Sequence, residues 1–334
     1  MMIKRVLTLL ITALFSAGYL CACGGTNGTT AAGSEKLEIV ATIFPEYDWV
    51  MNVLGENAQD ADVTLLLDNG VDLHSYQPTP EDILTISNCD LFIYVGGESD
   101  AWVDKALQEA TNKEMVVVNL LEVLGDSVKE EEVIEGMQAE EEEHEEEEEA
   151  DAEEEPEYDE HVWLSLRNAS VLVQGITEAL QKADPAHEDD YRNNAAAYVA
   201  KLGSLDRDYQ TVVDAAPLHT LLFGDRFPFR YLTDDYGLDY YAAFVGCSAE
   251  TEASFETITF LAHKVDELGL PAVMTIEGDN HRIAETIVEN TQSKDAKILT
   301  MDSMQSTTAK DIADGATYLS IMEKNLDVMK EALQ

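Results

Sequence analysis

The chain has 334 residues, 45% of them hydrophobic, and carries 67 Asp and Glu against 20 Lys and Arg. That length suggests roughly two domains of about 150 residues, each with enough apolar material for its own core. A formal net charge of −47 excludes nucleic acid, whose phosphates such a surface repels, and also charge-driven docking on anionic membranes; cations are the favoured partners. Twenty of the acidic residues fall within 130–160, which contains no Lys or Arg, so much of the excess sits in one segment.

Lys4 and Arg5 precede an apolar run over 6–15. This is the charged and apolar pattern of an export signal, too short for a comfortable membrane span. The run ends in Leu20-Cys21-Ala22-Cys23-Gly24-Gly25, which resembles the lipobox of bacterial lipoproteins. The resemblance implies a signal peptide over 1–22 and a lipidated Cys23 as mature N-terminus. The protein is then expected outside the cytoplasm, held by lipid on the outer face of the cell membrane; simple secretion with cleavage near Ala17 or Ala22 is the alternative. Residues 23–36, rich in Gly, Thr and Ala, read as a flexible tether. Cys89 and Cys247 remain, one in each half. An oxidising compartment permits a disulfide between them, and separate burial is the alternative.

In the mature chain, apolar runs over 37–44, 62–67, 90–95 and 115–120 read as strands, with helical stretches at 47–54, 80–88 and 102–111 between them. Short, continuously apolar strands alternating with helices indicate βαβ units and a parallel sheet. The acidic segment, 129–157, interrupts the pattern. It has too little apolar surface to offset its ordering entropy and is expected to be a disordered loop. From Asp184-Pro185 a helix is expected to run to about residue 215, roughly 45 Å. Tyr191, Ala195, Tyr198, Leu202, Leu205 and Tyr209 fall on one face of it. The second half repeats the βα pattern, with strands at 220–223, 239–245, 272–276 and 296–301 and helices near 230–232, 255–268, 282–291 and 312–333. The expected architecture is α/β: an N-terminal lobe over 37–183 and a C-terminal lobe over 217–334, each with a parallel sheet, joined by one long spanning helix over 184–216.

No Gly-rich phosphate loop, nucleophile elbow or His-Glu-x-x-His pair is present, so neither a nucleotide cofactor nor catalysis of those kinds is expected. Histidine is what remains. His74 follows the second strand, at the carboxyl end where open α/β sheets place ligands. His161 stands where a helix is expected to begin after the acidic segment. Neutral imidazoles in such places are ligands for zinc and other transition metals.

Leu73-His74-Ser75-Tyr76-Gln77-Pro78-Thr79-Pro80 resembles the His-x-Tyr-x-Pro-Thr-Pro segment of the zinc/manganese cluster of solute-binding proteins of ABC importers. His161-Val162-Trp163-Leu164-Ser165 is similar to that family's second His segment. Thr42 to Asp48 looks like its first strand and turn, and Asn193 to Tyr198 with Leu205-Asp206 like its interlobe helix. The resemblance spans 37–333. It implies a lipid-anchored, monomeric metal receptor that takes Zn²⁺ into a cleft between the lobes and passes it to a membrane permease, by coordination rather than catalysis. Because imidazole must be neutral to bind, capture is expected to weaken below about pH 6.

The chain departs from that pattern in two places. The family often fills the loop before its second His with histidines, whereas this one is filled with glutamate and keeps only His144; it is either a weak cation collector or a solvated spacer. The family also supplies a His or Glu early in the second lobe, before a helix ending in Tyr-Gly-Leu. Tyr236-Gly237-Leu238 is present, but the ligand region reads Phe223 to Phe229 without a His. Arg226 holds the aligned position, and Asp225 is the nearest ligand. A late strand is followed by Glu277-Gly278-Asp279-Asn280-His281, so the expected metal set is His74 and His161 with His281, Asp225, Glu277 and Asp279. Cys247, near another strand end, is either a soft ligand or a packing residue. The carboxylates and the missing third His keep Mn²⁺ as the alternative metal. A surface metal-dependent hydrolase, with Glu277 as base, is the alternative of another class, and an acidic calcium-buffering protein a third.

Overall fold

The short apolar runs become strands because they are rich in β-branched and aromatic residues and bounded by turn residues. The computed structural model describes residues 36–138, 157–248, 252–278 and 280–334. Strands β1 (Leu37–Ala41), β2 (Ala61–Leu65), β3 (Leu91–Tyr94) and β4 (Val116–Asn119) form one sheet in the order β2-β1-β3-β4. Strands β5 (Thr220–Phe227), β6 (Asp239–Val245), β7 (Ala272–Thr275) and β8 (Lys297–Thr300) form a second, in the order β6-β5-β7-β8. Every pairing is parallel. In each sheet the chain leaves its first strand for one neighbour and then crosses to the other side. The switch point so created opens a crevice at the carboxyl ends of β1 and β3 in one lobe, and of β5 and β7 in the other.

The spanning helix runs Glu188–Ala215, 28 residues or about 42 Å. The Asp184 side chain caps the 3₁₀ turn before it by accepting from the Ala186 N–H. All six apolar residues expected on its inner face are buried, together with Val213. One core joins this face to both faces of the first sheet and to Phe223, Met274 and Met301 of the second lobe. A smaller cluster around Leu222, Phe244, Leu261 and Ile287 fills the far side of the second sheet.

Three helices differ from the sequence reading. The first begins at Phe44 rather than 47, since the Glu46 carboxylate folds back to accept from the Thr42 and Ile43 N–H groups at 2.7 and 3.2 Å. The C-terminal helix is two, Ala309–Ala313 and Tyr318–Ala332, separated where Gly315 adopts φ 98°. The helix expected to begin at His161 starts instead at Leu166 and runs to Ala183, because Val162–Leu164 first forms a 3₁₀ turn and Ser165 provides the cap; it buries Leu166, Leu172, Val173, Ile176 and Leu180.

The signal segment, Cys23, the tether, residues 139–156 of the acidic segment and Asp279 lie outside the described residues. Cys89 and Cys247 are both free thiols. Among the described residues no helix is long and apolar enough to cross a membrane.

Candidate metal centre

His74 sits in a 3₁₀ turn, Leu73–Ser75, in the loop leaving β2. The Asp72 carboxylate starts that turn by accepting from the His74 N–H at 3.0 Å, an Asx cap of the kind that fixes a loop without regular structure. Nδ1 of His74 is engaged by Ser99 Oγ at 2.8 Å, and Glu160 Oε2 lies 3.5 Å from it. Nε2 is thereby turned into the cleft. His161, fully buried, is fixed the same way from the other side. Asp159 Oδ1 accepts from both the N–H and Nδ1 of His161, each at 2.9 Å. Oxygen partners on Nδ1 are what metal-binding imidazoles use to hold tautomer and orientation.

The two Nε2 atoms meet at 3.1 Å. Two nitrogens bound tetrahedrally to one zinc at 2.0–2.1 Å are about 3.3 Å apart, so the pair is already spaced for a shared ion. The protons are arranged to match. Burial draws the His74 pKa down to about 3, and the positive charge of His161 adds to the effect. Burial also opposes charge on His161, but the hydrogen bond and charge of Asp159 outweigh it and raise its pKa. His74 is thus held toward its neutral, ligand form, while Asp159 favours charge on His161.

Among the described His, Cys, Asp and Glu residues of the second lobe, Cys247 alone joins the imidazoles. It lies in the turn after β6, and Glu131 Oε1 accepts from its N–H at 3.1 Å. Its Sγ and the two imidazoles bring three donor atoms within 4.8 Å of one another. Gly246 makes the approach feasible: a Cβ there would stand 2.9 Å from Cε1 and Nδ1 of the His161 ring. Burial, then the charge of Glu131, pushes the Cys247 thiol pKa well up. Beside the cluster opens a cavity of about 250 Å³ lined by His74, Ser99, Cys247 and the glutamates 98, 131, 157 and 160. The acidic segment leaves and returns at this mouth, where the Glu131 N–H donates to the Glu157 carbonyl at 2.8 Å.

Asp225 and Glu277 are engaged elsewhere. An irregularity in β5 sets four residues, Phe223 to Arg226, against three on β6, Ala242 to Phe244, and a bulge of this kind re-aims side chains. Asp225 turns into the sheet, accepting from the Arg226 and Ile276 N–H groups at 2.9 and 3.3 Å. Arg226 reaches across to Asp72 at 2.6 Å. Glu277 accepts from Ser303 N and Oγ and from Gln305 N at 2.6, 2.7 and 3.1 Å. His281 stands at the N-cap position of the helix Arg282–Asn290 without capping it through its side chain; its Nδ1 is buried without a partner, and it is outside the three-donor cluster.

Sequence reasoning did not single out Asp159, Glu160 and Ser99, which orient the imidazoles, nor Gln305. The buried Gln305 follows β8 on the segment that Glu277 holds. Turned so that both amide atoms are satisfied, it donates to Asp72 and to His74 Nε2 at 3.2 Å and accepts from His161 Nε2 at 3.3 Å. Its place just past the carboxyl end of a strand was the available signal.

The family model described as "Zinc-uptake complex component A periplasmic" matches residues 39–332. The high-affinity zinc uptake system protein ZnuA of Bacillus subtilis (strain 168) is 31% identical over 324 residues, 97% of this chain and 96% of that protein. The zinc-binding lipoprotein AdcA of Streptococcus pneumoniae is 32% identical over 96% of this chain. The chain spans about three fifths of the length of the streptococcal relatives it matches. The solved Zn(II)-bound ZnuA-like domain of Streptococcus pneumoniae AdcA superposes with a TM-score of 0.68 at 27% identity, covering 89% of this chain and 99% of that one. With a match over nearly the whole described chain, in fold and in sequence, the protein belongs to the family of the periplasmic component A of zinc-uptake complexes.

Proposed function

We propose that this chain is an extracytoplasmic receptor that captures Zn²⁺ between its two lobes and delivers it to the membrane permease of an ABC importer. The observation that carries the reading is the pair of Nε2 atoms, 3.1 Å apart, each imidazole pinned through Nδ1 by an oxygen partner. Such a pair is built for one ion of fixed geometry. Zinc binds the imidazoles in their neutral form, so the interaction is coordination linked to proton release.

Family membership supports the transport role, and the zinc-binding relatives support the metal. The family is one of transport receptors rather than enzymes. Anchorage through a lipid on Cys23 suits a receptor that must stay beside its permease. The acidic surface and the glutamate-lined mouth draw divalent cations toward the cleft.

Mn²⁺ is the second reading, favoured by the carboxylates Asp159 and Glu160 close behind the imidazoles. Competitive titration of Zn²⁺ and Mn²⁺ into the full chain separates the two. One tight zinc site per chain, lost in His74→Ala, supports the receptor reading. Preference for manganese transfers the role to that metal, and the absence of a tight site rejects both.

A further inference from the structure

We infer that Cys247 supplies the second lobe's ligand, so that the centre is a two-imidazole, one-thiolate site selecting Zn²⁺ and other thiophilic divalent ions over Mn²⁺. The inference rests on the receptor reading and specifies the donor set of that same site.

Four observations converge on the sulfur. Among the described residues, Cys247 is the only second-lobe His, Cys, Asp or Glu that joins His74 and His161 within 4.8 Å. Asp225 is committed to the backbone of the second sheet and Glu277 to the 303–305 segment, which leaves neither carboxylate directed at the imidazoles. Gly246 carries no side chain where one would strike the His161 ring, so the backbone bearing Cys247 packs directly on that ligand. The fourth observation is charge. Arg226 is paired to Asp72 beside His74, so that carboxylate is neutralised by the guanidinium and the two imidazoles alone offer a dication only neutral donors. A thiolate adds a negative charge in the first coordination sphere.

The required motion is small. In a tetrahedral site the sulfur sits about 2.3 Å from zinc, which puts it roughly 3.5 Å from each nitrogen; starting from within 4.8 Å, the turn after β6 moves inward by about 1.3 Å at most. As the Zn–S bond forms, the thiol proton leaves to solvent and the sulfur lone pair becomes the bonding pair. The remaining position is open to the Gln305 amide oxygen, which already meets His161 Nε2, or to water. Soft thiolate with imidazole suits zinc, whereas manganese prefers carboxylate and water oxygens.

The test is spectroscopic, with Co²⁺ replacing Zn²⁺ in the full chain. Thiolate bound to cobalt gives an intense near-ultraviolet charge-transfer band that imidazole and carboxylate do not. The band should appear with one equivalent of Co²⁺, vanish in Cys247→Ser and in His74→Ala, and persist in Cys89→Ser, whose thiol is buried elsewhere. Zinc affinity of Cys247→Ser should fall by about 100-fold, while manganese affinity changes little. Because the wild-type spectrum is diagnostic by itself, a poorly folded variant does not decide the matter. A tight cobalt site that depends on His74 but lacks the band overturns the thiolate and leaves the receptor reading standing. A band that survives Cys247→Ser likewise overturns it. Binding that survives His74→Ala removes both.

Discussion

Arg226 Nη2 stands 2.6 Å from Asp72 Oδ2, tying the end of β5 in the second lobe to the loop that carries His74 in the first. Asp72 caps the His74 turn through its other oxygen, so one carboxylate both fixes the turn that carries His74 and receives the opposite lobe. Burial alone would raise the Asp72 pKa, but the charge and hydrogen bond of Arg226 hold it below the usual carboxylate range. The position at which relatives are expected to place a ligand is thus used here as a latch.

Removing that latch is predicted to cost stability before it costs anything else. Arg226→Gln should lower the unfolding free energy by about 2 kcal/mol, the worth of a partly buried hydrogen bond between charged groups. Urea denaturation reads the difference, and a variant as stable as the parent would mean the ion pair contributes nothing.

Glu277 is predicted to act one step behind the metal. Its carboxylate gathers the Ser303 and Gln305 N–H groups and the Ser303 hydroxyl, and so holds Gln305 over the two imidazoles. Glu277→Gln keeps the shape but puts an amide donor where these donors converge. Zinc affinity should drop by about tenfold, far less than the loss on His74→Ala. Total loss of binding in Glu277→Gln would instead make it a direct ligand.

Trp163 stitches the lobes together. Its Nε1–H donates to the Ser303 carbonyl at 2.9 Å, while its own carbonyl accepts from Tyr318 Oη at 2.6 Å, all in fully buried surroundings. Trp163→Phe leaves the Ser303 carbonyl without its partner and opens space beside the His161 ring, 5.3 Å away. A loss of about 2 kcal/mol is expected in chemical denaturation, with zinc affinity also reduced. Weakened stability with unchanged zinc affinity would separate the lobe contact from the site.

Stability should rise on mild acidification. Burial, reinforced by the charge of Asp100, pushes the Glu46 carboxyl up to about 8, and burial pushes Asp48 up to about 6 despite its hydrogen bond from Tyr198. Unfolded, these groups titrate near 4.5 and 3.8. Between the unfolded and folded values the native state binds more protons. The unfolding free energy therefore increases as pH falls from about 8 toward 5, by up to about 1.4 kcal/mol per pH unit for each group while it remains shifted. Relief of the chain's negative self-repulsion has the same sign, so the contrast with a variant is what isolates the effect. The melting temperature of Glu46→Gln should depend less on pH than that of the parent between about 6 and 8, and parallel curves would show that Glu46 is not the source.

Much of this was legible in the chain because periodicity and strand-end logic are local. The eight apolar runs became the eight strands, and the tyrosine-rich face of Glu188–Ala215 became the core seam. His74 and His161 stood out because each follows a recognisable turn and sits in a family-like segment. The second lobe was harder to read. A one-residue irregularity in β5 rotates Asp225 into the sheet and Arg226 into the cleft, and strand alternation in the sequence does not reveal such a shift. The meeting of Cys247 with His161 depends on Gly246 packing against a ring 85 residues earlier in the chain, a contact made by tertiary structure alone. The helix expected from His161 begins at Leu166 because the chain first makes the 3₁₀ turn Val162–Leu164 and Ser165 supplies the cap.

The most direct test of the account is anomalous diffraction at the zinc edge from crystals of the full chain grown with one equivalent of Zn²⁺. The account predicts a single strong peak about 2 Å from Nε2 of both His74 and His161. A peak among the carboxylates of the acidic segment, with the two imidazoles still hydrogen-bonded to each other, would contradict it.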